Sequence, residues 1–403
     1  MNDHRPLKTA LQALVLGAAV CYALPGTAGD FAIGNPDSLS DDLIEDPLEI
    51  AVGDWKLHLE FETGFVHTDN IEDDPVAAKD VVSTNAAGLD IGGELGGVDV
   101  SLFGSVDAYA PFGTPSENYL DKNIGVDLRR DFGEHLRGKL RLEASDFRPG
   151  YNTEDLDREQ IIEAAPELKL SLGVYEVELR GAIGYDRFFG DQTDTRQHKF
   201  ADLQLLASRE IMPDLSAYAG LMLRGTTYDL EFNDDDYRRG NKGYGAFAGL
   251  KGDISPKLTG DISVGVVRQE FNEQIWRPLT YASVNGYMQF RPTEKISLSA
   301  IGKTEFSESE DYGAAGLFVR EGKLRAEYLL TDKTILLVEA TQERATYLYA
   351  DIVEQTTDLE AGLDYAFHNH GILSLRYKHR SRRSDDEDEV FDRNSISASI
   401  RIK

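Results

Sequence analysis

Apolar and polar residues alternate one by one along most of this 403-residue chain, and they do so in segment after segment. In "LSLRYKHRSRRSDDEDEV" (Leu373–Val390), Leu373, Leu375, Tyr377 and His379 fall on one side, and Ser374, Arg376, Lys378, Arg380 and Arg382 on the other. A period of two marks a strand with one apolar and one polar face. Trp55, Leu57, Leu59, Phe61 and Phe65 alternate with Lys56, His58, Glu60 and Glu62, and Tyr175–Tyr185 repeats the pattern. So does the end of the chain, where Ile396, Ala398, Ile400 and Ile402 face away from Ser395, Ser397, Ser399 and Arg401. About 18 such segments of roughly 10 to 15 residues can be read.

The connections decide the architecture. Tight turns such as Gly96-Gly97, Gly173-Val174, Met212-Pro213-Asp214, Ser255-Pro256-Lys257 and Thr331-Asp332-Lys333 alternate with longer polar stretches such as 68–80, 148–158, 190–197, 231–242 and 384–389. This rhythm is that of an up-and-down barrel, with tight turns at one rim and loops at the other. The non-apolar face is charged throughout, so protein core cannot cover the apolar face. Lipid can, and a closed barrel satisfies every backbone group within it. The sequence therefore predicts an all-β transmembrane barrel of about 18 antiparallel strands. An even strand number puts both termini on the turn side, the periplasm, in the outer membrane of a Gram-negative cell.

The front end has a different character. "MNDHRPLKTALQALVLGAAVCYALPGTAGD" has Arg5 and Lys8, an apolar run from Ala10 to Leu24, and small residues before Gly29. Residues 1–28 read as a secretory signal peptide, 29–54 as an acidic periplasmic tether or small plug, and 55–403 as the barrel. The only cysteine, Cys21, lies in the signal segment, so disulfides and thiolate metal sites are excluded after cleavage. Many outer-membrane barrels end in an aromatic residue; this chain ends in Ile402-Lys403.

Strand alternation gives the candidate site. If Leu373, Leu375 and Tyr377 face lipid, then Arg376, Lys378, Arg380 and Arg382 point into the lumen in one row. Arg393 and Arg401 lie inward on the next segment, and Arg137, Lys139 and Arg141 on an earlier one. Asp358, Glu360 and Asp364 line the inner face of the segment before the row. Two readings stand side by side. The guanidinium ladder attracts anions in an open pore, since Arg matches carboxylate and phosphate and charged rows set selectivity. Alternatively, the three acids pair with the bases as cross-strand neighbours.

Acids gather at the longer connections: Glu72-Asp73-Asp74, Asp234–Asp236 and Asp385–Glu389. They could meet divalent cations that bridge lipopolysaccharide, but no calcium-loop spacing is present and solvated surface charge is the simpler reading. No Gly-x-Ser-x-Gly elbow, phosphate loop or His-Glu-x-x-His occurs, so no enzyme, metal site or cofactor is expected. A net charge of −29 argues against nucleic acid as a partner.

The last third resembles the putative β-barrel porin family 2, found with exopolysaccharide synthesis and export systems. The spacing "LRAEYLLTDKTILLVEATQERATY", "TTDLEAGLDYAFHNHGILSLRYKHRSRRS" and "FDRNSISASIRIK" carries the likeness, which extends more faintly back over residues 195–402. The resemblance implies an outer-membrane pore or accessory protein for a surface polysaccharide, with outer-membrane lipids, lipopolysaccharide, the polysaccharide and periplasmic export proteins as partners. It brings no catalytic residues. A general or anion-preferring diffusion porin and a closed structural or adhesive barrel are the alternatives.

Overall fold

The computed structural model describes residues 38–43, 48–71, 73, 78–113, 118–147, 158–189, 197–230, 238, 240–307 and 314–403. The expected signal segment, the Asp234–Asp236 group, Glu72 and Asp74 lie outside these residues. Eighteen antiparallel strands, from β2 (Trp55–Thr68) to β19 (Phe391–Ile402), pair neighbour to neighbour, and β19 closes on β2. The expected barrel of about 18 strands is the observed one.

The wall follows from the alternation. Leu373, Leu375 and Tyr377 are 42%, 51% and 46% exposed, and Leu324, Val338, Leu359 and Ile396 are exposed on neighbouring strands. About half of the buried positions are polar or charged, among them Asp127, Glu178, Asp202, Gln204, Gln269 and Asp364. A soluble monomer does not present so large an apolar band to water. The barrel is apolar outside and charged inside, which a bilayer stabilises and water does not.

A short strand, β1 (Glu49–Val52), precedes the barrel and pairs with the start of β2, from Val52–Trp55 to Glu49–His58. The pairing of β19 with β2 runs only from Thr68–Ser395 to Phe61–Ile402. The same edge of β2 thus passes from β19 to β1, and the lower backbone at the closing seam keeps a partner. An unpaired strand edge inside a bilayer would be costly, and β1 covers the part of that edge that β19 does not pair.

Among the described residues, the wall has one long break in its pairing. β13 (Leu279–Thr293) pairs with β12 (Leu258–Phe271) as far as Leu279–Gln269, but its pairing with β14 (Ile296–Ser307) stops at Gly286–Gly302. β14 and β15 (Leu317–Thr331) stay paired with each other to Ser307–Leu317. The upper part of β14 therefore leaves the wall, while β15 stays paired with the strand that follows it as far as Leu317–Tyr347. Gly286 sits at the fork with φ +150°, and a Cβ there would lie 2.1 Å from the Asp261 carbonyl oxygen. Only glycine fits that position.

Candidate functional site

Three features of the barrel interior form the site: the charged row, the inward-turned end of β14, and the segment before β1.

β17 (Ile352–His368) and β18 (Gly371–Ser384) place the row. Their register sets Asp358 opposite Arg380, Glu360 opposite Lys378 and Gly362 opposite Arg376. Side chains two positions apart on a strand are about 7 Å apart, so the four cations form a line of steps up the wall. All four have carboxylate partners. Arg376 Nη2 lies 2.6 Å from Asp364 and its Nε 3.3 Å from Glu360. Lys378 Nζ is 3.0 Å from Asp358. Arg380 grips the same Asp358 through a fork, donating from Nε at 2.7 Å and Nη2 at 2.8 Å. Arg382 reaches Glu354 at 2.6 Å and Glu389 at 3.1 Å. Gly362 makes room for Arg376, since a Cβ there would sit 2.4 Å from the arginine Cδ.

The geometry thus contains the pairing that the sequence offered as one of two readings. It adds Glu354, and it turns Glu389, one of the acids expected to be solvated at the loop, into a partner of Arg382. The four paired cationic side chains nevertheless remain 21–32% exposed. Each is held by a carboxylate yet open to whatever enters the interior. The same holds on β6 (Leu136–Phe147): Arg137 meets Asp131 at 2.6 Å, Lys139 meets Asp127 at 4.0 Å, and Arg141 meets Glu143 at 2.7 Å. Arg401 stands opposite Glu62 in the register of β19 with β2. Arg393 pairs with Asp73 at 2.9 Å. Asp73 is therefore no freely solvated loop acid. Burial pushes its carboxyl above the usual range, and Arg393 opposes that shift.

The inward-turned end of β14 narrows the long-loop end. On a wall strand, alternate residues are exposed, but Glu305 and Phe306 are both buried, at 7% and 1%, as are Phe318 and Val319 opposite. Phe306 packs on Phe271 with ring centroids 5.8 Å apart, and Phe318 on Tyr281 at 4.8 Å. Asn285 Oδ1 accepts from the Thr304 amide at 2.8 Å, replacing a lost ladder bond. From β10 (Leu215–Tyr228), Arg224 donates to the Phe306 carbonyl at 2.9 Å and pairs with Asp202 at 3.0 Å. Arg224 is therefore the tie that holds the end of β14 across the interior. Arg224→Met would leave Asp202 buried without this partner, a loss of about 1–3 kcal/mol. The barrel should still form, and single-channel recordings should show a noisier current as that end moves; a trace as quiet as wild type would remove this role from Arg224. The alternation in "KTEFSES" gives no hint of the fold; Gly286, Gly302 and Gly322 are the only sequence signs.

The segment before β1 enters the other end. A single helical turn, α1 (Leu39–Asp42), follows Ser38. Ser38, Leu39 and Ser40 are buried. Ser38 Oγ donates to Glu327 of β15 at 2.5 Å, and the Leu39 amide donates to the same carboxylate at 3.0 Å. Ser40 Oγ donates to Asp364 of β17. Arg325 bridges Ser38 and Glu327, at 3.0 and 2.7 Å. These contacts fasten residues 38–40 to the inner face of β15 and β17. Asp364 is shared: it holds Ser40 on one side and Arg376, the lowest step of the row, on the other. The opposite wall keeps a cavity of about 460 Å³, lined in part by Lys169, Arg180, Tyr218, Asp261 and Asn285.

Comparisons with known proteins agree with this architecture. The family model described as "Putative beta-barrel porin 2" matches residues 46–403. No curated protein sequence matches the chain. Among solved structures, the chain is similar to the outer membrane protein opdK from Pseudomonas aeruginosa (TM-score 0.50, 12% identity, covering 87% of this chain and 99% of that one). It is equally similar to OccK2 (OpdF) of the same organism, solved with glucuronate (TM-score 0.50, 11% identity, 87% and 98% covered). OpdK solved with vanillate matches at TM-score 0.50 and 13% identity, with 87% and 99% covered. At these identities the likeness shows the fold alone.

Proposed function

Because the chain belongs to the family described as "Putative beta-barrel porin 2", we propose that it is a diffusion channel of the outer membrane for small hydrophilic solutes, with a stepped exchange track for anionic groups along its wall. The observation that carries this reading is the row Arg376, Lys378, Arg380 and Arg382, paired in series yet open to the interior. In the empty channel each cation has a carboxylate partner, so its charge is offset without a bound anion. A carboxylate or phosphate on a passing solute can replace Asp358 or Glu360 at one step and be released to the next, because every contact it gains is offset by one it displaces. Binding is then weak and local. Since acids compensate the row, bulk ion selectivity is weak also, in place of the strong anion preference that an unpaired ladder would give. Arg393, Arg401, Arg137, Lys139 and Arg141 extend the same compensated lining. The chain needs no catalytic group for this.

In this proposal residues 1–28 export the chain, the tight-turn rim and both termini face the periplasm, and the long-loop rim faces out. Residues 38–43 then act as a small plug at the periplasmic mouth, and the inward end of β14 sits at the outer one. That OccK2 was solved with glucuronate and OpdK with vanillate, both small carboxylates, accords with an anionic solute such as a sugar acid. A second reading, export of an acidic exopolysaccharide with periplasmic partners, is favoured by the row itself. Charges repeated at about 7 Å suit a polymer that carries repeated anionic groups. A deletion strain separates the two. Slower uptake of small sugar acids with unchanged surface polysaccharide is expected; polysaccharide trapped in the periplasm would replace the first reading with the second. Unchanged uptake and polysaccharide would leave the closed structural or adhesive barrel.

A further inference from the structure

The outer face of the wall carries a second cationic row. Arg320 on β15 stands directly opposite Arg344 on β16 (Thr334–Tyr347). Arg344 stands opposite Gln355 on β17, and Gln355 opposite Arg383 on β18. These four residues form one lateral line, and all four are exposed. Paired residues of an antiparallel ladder place their side chains on the same face, with Cα atoms about 4.5–5.5 Å apart. Arg320 and Arg344 are thus a like-charge pair at the closest spacing a sheet allows, which destabilises an isolated protein.

Their surroundings do not relieve it. The Arg383 guanidinium has Asp392 at 3.0 Å. The Arg320 guanidinium lies 5.0 Å over the Phe318 ring, which fixes its direction without adding negative charge. Among the described residues, neither Arg320 nor Arg344 has a carboxylate within ion-pair distance. In a chain of net charge −29, where the inner cations are matched with acids, an unmatched outer pair points to an anion supplied from outside.

The height of the pair says which anion. Leu336, Val338 and Ala340 run up the outer face of β16 before Gln342 and Arg344. Arg344 is ten residues beyond Thr334, which for a strand tilted near 40° is about 25 Å above the tight-turn rim. That is the height of the apolar band, so the pair meets the polar boundary of the distal leaflet. Anions there are lipid phosphates. Two guanidinium groups side by side can each grip a phosphate through a planar fork.

We propose that Arg320 and Arg344, flanked by Gln355, form a docking site for the phosphate of a phosphorylated glycolipid of the outer leaflet. The inference rests on the orientation proposed above, with the long-loop rim facing out, and not on conduction. Phosphate displaces water from both guanidinium groups and removes their mutual repulsion, so the lipid stabilises the wall beside the fork where β13 and β14 part.

The test uses the full mature protein in nanodiscs of phosphatidylcholine. Retention of lipid A is measured by native mass spectrometry for wild type and for R320Q/R344Q. Wild type should retain lipid A at least about tenfold better than the double variant, the loss expected when charge-assisted bonds are removed. Wild type should also prefer lipid A over the same lipid stripped of phosphate, an arm that needs no variant to fold. Equal retention in the variant, or of the dephosphorylated lipid, would overturn the site. Full competition by inorganic phosphate would overturn its assignment to a lipid. Preference for phosphatidylglycerol over lipid A would place the pair in the other leaflet and overturn the orientation. Conductance of R320Q/R344Q should equal that of wild type, so a silent channel speaks only to the proposed function.

Discussion

Deleting residues 38–43 is expected to raise single-channel conductance several-fold in planar bilayers without preventing insertion. The segment touches the wall through Glu327, Asp364 and Arg325, and the barrel strands pair independently of it. Removing it returns its volume to water at the mouth where it sits. A milder change separates docking from mere bulk. Ser38→Ala with Ser40→Ala removes hydroxyl bonds to two buried carboxylates, together about 3 kcal/mol. The docked fraction should then fall roughly hundredfold relative to the undocked one, and recordings should show the larger conductance for most of the time. The deletion variant should run in gels with the same heat-modifiable migration as wild type. A deletion variant of unchanged conductance would mean that the segment lies beside the conducting path and does not obstruct it.

The second large effect concerns Asp358, which holds two cations at once. Asp358→Asn should shift the reversal potential under a salt gradient toward anions, because it releases both Lys378 and Arg380. The asparagine can keep one hydrogen bond to Arg380, so the barrel should lose only about 1–3 kcal/mol. Replacing Arg376 and Arg380 by Glu should move the potential the opposite way, toward cations. The two variants bracket the wild-type value. If neither moved it, the row would lie off the conducting path, whatever its pairing.

Much of the fold was legible because a barrel wall is written in a local code. Leu373, Leu375 and Tyr377 against Arg376, Lys378 and Arg380 state which face is which, and the pairing with Asp358, Glu360 and Asp364 follows once neighbouring strands are set in register. What was not legible depends on contacts between distant segments. Nothing near Ser38 announces that it will meet Glu327, and a Ser-Leu-Ser turn in an acidic stretch has no period to read. The inward-turned end of β14 is hidden for a related reason. Glu305 and Phe306 still alternate in sequence, and only the parting of β13 from β14 at Gly286 buries both. Asp73 looked like one of a group of solvated acids until the first long connection brought it to Arg393. The outer pair Arg320 and Arg344 was invisible because it exists only through register.

The most direct test of the account is the current through purified, full-length protein in a planar bilayer under a salt gradient. A channel with a compensated charged lining should open in discrete conductance steps and reverse close to zero, with added sugar acid blocking the current briefly and reversibly. A barrel that inserts, as shown by heat-modifiable migration and a β-rich spectrum, but passes no current would contradict it.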